Sequence, residues 1–301
     1  MMEFSANYRA GRGVAVLALL VGALVWGLIW YPYRMLESAG LPGAWATTLT
    51  YLIALLIGGA VFRDPLRQLC QSRPDAWWLA IALSAGACNL GYVLAMLHGE
   101  VMRVLLLFYL APFWTVLLAR WLLNERVKPI GALVVALSLL GAAVMLWRPA
   151  LGLPWPNSES EWLGLAAGML FALSNVLIRR AKHYPVAQKS LAVFAGVTLV
   201  GLVCGLLWQT GDIGQALDWL NWASFGLVLL VGLILLAVNL VVQYGLEQVS
   251  ASRAVVILLF ELPVAALASW LLAGEAMGVQ EWLGGLLIAS AGFFSAKLEA
   301  D

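Results

Sequence analysis

The sequence predicts an all-α integral membrane protein: ten transmembrane helices arranged as two inverted five-helix repeats. Three observations carry this expectation. Hydrophobic residues fill 63% of the 301 positions and charged residues only 11%, against about a quarter charged in a typical soluble domain. A soluble fold of this length has too little interior to hide that surface, so part of its solvent is lipid. Apolar runs of membrane-crossing length recur along the whole chain, and rare polar residues repeat at near-constant spacing in its two halves.

A helix needs about 20 residues to cross about 30 Å of hydrocarbon. Runs of that kind fall at 13–35, 43–62, 76–97, 103–122, 130–147, 161–179, 190–208, 222–244, 253–272 and 281–297. The first is too long for a signal-peptide core and is read as a retained span. The breaks are short and rich in turn chemistry, as in ESAG (37–40), RDP (63–65), NERVKP (124–129) and PWPNS (154–158). No hydrophilic segment is long enough for an extramembrane domain.

Positive charge orients the spans. With both termini in the cytoplasm, every one of the 17 Lys and Arg residues except Arg34, Arg103 and Arg148 falls on the inner side. Trp77, Trp78, Trp121, Trp147, Trp162, Trp219, Trp222 and Trp282 stand at span ends and read as an interfacial aromatic belt. The net charge of +1 and the lack of a basic block point to no nucleic-acid partner.

The repeat divides the chain into residues 1–149 and 150–301. Asn89, Arg103 and Glu125 match Asn239, Arg253 and Glu275 at an offset of 150. Pro112 and Pro263 align with a slip of one, and Gly22 and Arg34 match Gly168 and Arg180 at 146. Each half holds five spans, an odd number, so two like-folded halves in series lie upside down to one another. Inverted repeats around one midplane site are the architecture of secondary transporters.

Two segments carry a family resemblance. LFYLAPFW (107–114) runs on to LLNE (122–125), and LFELP (259–263) runs on to LLAGE (271–275). In length, 5+5 organisation and both motifs the chain resembles the drug/metabolite transporter superfamily, and within it the EamA-type ten-helix exporters. Relatives commonly place the acid directly before the proline; here Leu262 separates Glu261 from Pro263, which turns the carboxylate by about 100° on a helix. The resemblance implies alternating-access export of small metabolites, amino acids or toxic compounds, often driven by a proton gradient, in a bacterial inner membrane.

The candidate site residues follow from position. Glu261 lies about mid-span, where a carboxylate costs a few kcal/mol and usually faces a cavity. Desolvation there favours the protonated form, which suits proton exchange or a cationic ligand; the alternative is a structural acid bonded to a neighbouring helix. Asn89 with Tyr92, and Asn239 with Gln243, each share one helix face and either line a cavity or join helices. Trp26 is deep enough to stack on a substrate, whereas Trp30, Tyr31 and Tyr33 read as outer belt. Tyr109 shares its span with Pro112, which removes a backbone donor and frees the Phe108 carbonyl as Pro263 frees that of Leu259; both prolines read as kinks for gating. Ser174 and Asn175 occupy the related region of the sixth span. Gly164-x-x-x-Gly168 and Gly201-x-x-x-Gly205 allow close helix approach, within the monomer or in a homodimer. Glu125 and Glu275 read as local caps or pairs.

No P-loop, zinc-protease, nucleophile-elbow or dinucleotide motif occurs. The scattered Cys70, Cys88 and Cys204 read as small hydrophobes, and His98 and His183 fall on opposite sides. The expected function is therefore a secondary transporter of a small metabolite such as an amino acid, with no enzymatic activity, cofactor or metal. The alternative is transport of organic cations with Glu261 as counter-charge and tryptophans as a cation–π wall.

Overall fold

The computed structural model describes residues 2–72, 74–124, 129–147, 156, 158–208, 222–249, 251–275, 278–279, 282–284, 286–287 and 290. Among them there is helix and turn but no strand. The helices are α1 (Met2–Ser38), α2 (Gly43–Val61), α3 (Arg63–Ser72), α4 (Ala76–His98), α5 (Val101–Phe108), α6 (Ala111–Leu123), α7 (Pro129–Leu146), α8 (Glu159–Arg180), α9 (Val186–Trp208), α10 (Trp222–Gln248), α11 (Ala251–Leu258) and α12 (Glu261–Ala273). Six of these are long and apolar enough to cross a membrane, and the chain is a multi-pass membrane protein. Most of the tenth expected span, and Glu125, lie outside the described residues.

The bundle is turned outward as lipid requires. Leu17, Leu56, Leu207, Trp208 and Trp222 are exposed on the outer surface. Polar groups inside are tied to backbone: Thr47, Thr48 and Thr50 of α2 donate to the carbonyls of Gly43, Ala44 and Ala46 at 2.7–2.9 Å. One apolar core runs through α1, α2, α4, α5, α8, α9, α10 and α12, and a second joins α1, α10 and α11. For reference, the two ends of the bundle are named after Arg34, where α1 finishes, and Arg180, where α8 finishes.

The fourth and ninth spans, expected as kinked but continuous helices, are each interrupted. α5 stops at Phe108 and α6 starts at Ala111; α11 stops at Leu258 and α12 starts at Glu261. Pro112 stands in the first turn of α6, and Pro263 is the third residue of α12. A proline tolerates the first turn, where its missing N–H has no helical acceptor, but clashes with the carbonyl four residues back. The chain resolves the clash by a tight turn, with Leu110 N bonding Leu107 O at 3.3 Å and Leu262 N bonding Leu259 O at 3.0 Å. Both restarted helices also end alike, on left-handed residues 150 positions apart: Asn124 (φ 53°) and Gly274 (φ 67°), a common way to close a helix.

Glycines set the closest contacts, all within the chain. Gly164 and Gly168 of α8 pack on Val104 and Phe108 of α5, and Gly201 and Gly205 of α9 pack on Thr48 and Trp45 of α2. The tightest seam joins α4 and α9, where the Ala82 carbonyl lies over Gly196 and the Gly196 carbonyl over Gly86. A Cβ at Gly196 has no room against backbone, so Gly196→Ala is expected to destabilise the fold by about 1–3 kcal/mol. Gly226→Ala, with nothing within 4 Å of the added atom, is expected to stay within about 0.5 kcal/mol. Thermal melts of the purified protein compare the two.

Candidate functional site: a polar cavity at mid-depth

A cavity of about 80 Å³ lies between α1, α4, α8 and α10, with Glu261 at its edge. It runs from mid-depth toward the Arg180 end, since its α8 residues extend from Phe171 to Ile178 and its α10 residues from Asn239 to Leu246.

Glu261 reaches the cavity because the ninth span breaks there. It is the first residue of α12 and is 5% exposed, so the positive end of the restarted helix backs its carboxyl group. The Tyr92 hydroxyl donates to Glu261 Oε1 at 3.0 Å. The Tyr109 hydroxyl donates to the Leu258 carbonyl at 3.3 Å and also reaches the Glu261 carboxyl group. Tyr109 thus stands behind the acid rather than on the cavity wall, while Tyr92 does both.

The amides form the opposite wall. Asn175, Asn239 and Gln243 all line the cavity and are buried. Asn175 Nδ2, Asn239 Oδ1 and Gln243 Oε1 have no hydrogen-bond partner among the described residues. Ser174 lines the same wall. Asn89 is engaged differently from its counterpart Asn239: its Oδ1 accepts from the Tyr51 hydroxyl at 2.6 Å and its Nδ2 donates to the Ala85 carbonyl at 2.8 Å. The structure therefore gathers Glu261, Trp26, Asn89, Tyr92, Asn175, Asn239 and Gln243 around one space, with Tyr109 one layer back and Pro263 part-buried in the first turn of α12.

Among the further lining residues, Cys88, Phe108 and Phe171 did not stand out in the sequence as part of a site. Phe108 centres an aromatic cluster, with ring centroids 5.1 Å from Tyr92 and 5.3 Å from Phe171. The belt expectation fails for part of α1 and α4. Trp30 is 1% exposed and donates to the Gly27 carbonyl, and Tyr33 bonds Thr50 Oγ1 at 2.7 Å. Trp78 is buried too, donating to the Gln188 carbonyl. In each case the polar ring atom finds a protein acceptor and needs no interfacial water.

Charges gather at the two ends. At the Arg34 end, the Arg34 guanidinium lies 4.9 Å over the Trp30 ring, donates to the carbonyls of Met96 and Gly99, and approaches Glu275 at 3.9 Å. Glu275 thus pairs across the bundle with α1, not locally as its place at a helix end suggested. Arg103 pairs with Glu161, and His98 faces Glu37 at 3.4 Å. At the Arg180 end, Arg180 stacks 4.8 Å over Trp77 and donates to the Leu122 carbonyl. Lys189 bonds Glu247 at 2.9 Å, and His183 meets Asp75 at 3.1 Å.

The chain has counterparts among known proteins. The EamA-like transporter family matches residues 13–147 and again residues 159–296. The chain belongs to that family. It is a membrane transporter, and its relatives carry that name. A riboflavin transporter of Brucella anthropi is 23% identical over 87% of this chain and 90% of its own length. An uncharacterized transporter of Archaeoglobus fulgidus is 27% identical over 72% of this chain and 74% of its own. A riboflavin transporter of Rhizobium johnstonii is 29% identical over 66% of this chain and 63% of its own. A solved crystal structure, 18% identical, superposes with a TM-score of 0.69 over 95% of the transporter and 99% of the other chain, which shows a shared fold.

Asp75 caps α4 by accepting from the Trp78 amide at 2.9 Å. Burial pushes its carboxyl group up, but the Trp78 amide, the Tyr184 hydroxyl and His183 together hold it below the ordinary carboxylate range. A depressed folded-state value makes this contribution complete above the ordinary range and lost as pH falls through the folded value. Asp75→Ala is expected to cost about 0.5–2 kcal/mol near neutral pH, with the melting curves of variant and wild type converging in acid.

Proposed function

We propose that this chain is a secondary transporter that moves a small organic metabolite through the cavity by alternating access, in a bacterial inner membrane with both termini in the cytoplasm. The single observation that carries the reading is the cavity itself: one carboxyl group, held where a span breaks, together with buried amides of α8 and α10 that keep unpartnered atoms. Intramembrane polar groups of this kind mark substrate paths, and broken helices around a midplane site belong to transporters built from inverted halves. The matching breaks in α5/α6 and α11/α12, which run in opposite directions, support two inverted repeats at 1–149 and 150–301, with Pro112 and Pro263 fixing the turns. Charge placement supports the orientation, and the family resemblance supports export.

In that orientation the cavity faces the cytoplasm and the Arg34 cluster closes the outer end. Arg34 of the first half grips α4 and Glu275 of the second; Arg180 of the second half grips the end of α6 in the first. Arg34→Ala is expected to favour the outward-open state and lower the half-saturation concentration measured from the Arg34 side by about fivefold, the size of a latch of about 1 kcal/mol. Counterflow in vesicles of both orientations checks this, and an equal change on both sides excludes the latch.

Glu261 is the proton carrier of this scheme, since it is the one carboxyl group among the described residues lining the cavity and is held there by the Tyr92 hydroxyl. Glu261→Gln is expected to depress pH-gradient-driven accumulation far more than counterflow. Equal loss in both would exclude coupling through this group. The substrate remains within the metabolite class: amino acids fit the family, and the names of two relatives add a vitamin with a planar ring system. Organic cations are the second reading, favoured by the lone carboxyl group beside Trp26.

A further inference from the structure

Resting on the transporter reading, we infer that the cavity selects an uncharged planar molecule bearing a lactam or imide edge, in preference to a carboxylate-bearing or cationic one. The polar wall is the first reason. Asn175, Asn239 and Gln243 are each more than nine-tenths buried and line the same cavity, and each holds one amide atom with no hydrogen-bond partner among the described residues, a donor at Asn175 Nδ2 and acceptors at Asn239 Oδ1 and Gln243 Oε1. A carboxamide offers an acceptor oxygen and donor hydrogens side by side. Its best complement is another such edge, a ring C=O beside a ring N–H. Buried amides left without partners cost enough to reject ligands that lack those groups.

The second reason is charge. Among the described lining residues there is no Lys, Arg or His, so a substrate carboxylate meets no counter-charge. The helix N-terminus at the cavity edge, which would otherwise receive an anion, already carries the Glu261 carboxyl group. A cation fares little better, because the one acid on the wall, Glu261, already accepts from the Tyr92 hydroxyl at 3.0 Å. The third reason is shape. Trp26, Phe108 and Phe171 face the cavity from α1, α5 and α8, and aromatic walls favour a flat ring.

The test uses the full-length protein in detergent for binding and in proteoliposomes for counterflow, at mildly acid pH. The probes are uracil and lumichrome as uncharged lactams, indole as a flat ring without the edge, tryptophan as a zwitterion and tetraphenylphosphonium as a cation. Lumichrome is expected to bind at least about tenfold more tightly than indole, tryptophan or the cation, and Asn239→Leu or Gln243→Met to remove about tenfold of that preference. The wild-type ranking stands alone if a variant fails to fold. Preference for tryptophan or tetraphenylphosphonium overturns the substrate class and leaves the transporter reading intact. Lumichrome and uracil binding no better than indole also overturns it. Lactam binding without counterflow upholds the class and instead overturns transport through this cavity.

Discussion

The constraint on which the rest depends is that no backbone N–H or C=O can be left to hydrocarbon. Two spans break at mid-depth, and the groups released there have to be met by protein. The Leu259 carbonyl takes the Leu262 amide at 3.0 Å; at the first break the Phe108 carbonyl packs on Gly168 of α8, and beside the second the Glu261 carbonyl packs on Gly27 of α1. The Leu258 carbonyl takes the Tyr109 hydroxyl. Each break is thus docked on a glycine of a helix that opens one half of the chain. That docking brings the first turn of α12, with its acid, against α4 and the cavity.

From this follows the division of labour around Glu261. The break gives the carboxyl group a helix N-terminus behind it and two tyrosines beside it, so a group that is costly in lipid is held without a cation. The amide wall is unrelated to the break and belongs to the uninterrupted helices α8 and α10. The site therefore joins one irregular element, which holds the titratable group, to a regular wall that presents hydrogen-bonding atoms in fixed register.

What was legible in the sequence was whatever is rare in an apolar chain. Glu261, Asn89, Asn175, Asn239 and Gln243 stood out because polar residues in a span need a reason, and the cavity gathers all five. Phe108, Phe171 and Cys88 carried no signal, because an apolar residue in an apolar helix looks the same facing lipid or cavity. Partnership was equally hidden. Nothing local told that Tyr51 would clasp Asn89 and leave Asn239 open, or that Trp30 and Tyr33 would bond within the protein. The helical membrane fold was readable from hydropathy, whereas the turn at each proline depended on a clash that only tertiary packing resolves by breaking the helix rather than bending it.

The α4–α9 seam has a mechanical consequence. Where backbone meets backbone, as at Gly196 under the Ala82 carbonyl, there is no soft layer to shear, and the two helices are obliged to travel as one body. The α1–α10 seam is of another kind: Gly22 meets Val242 and Gly245 meets Leu19 mainly through branched side-chain tips, which can change rotamer and let one helix slip past the other. The bundle thus holds a welded joint and a lubricated one, and any cycle that exposes the cavity alternately to its two ends has its sliding surface at the second.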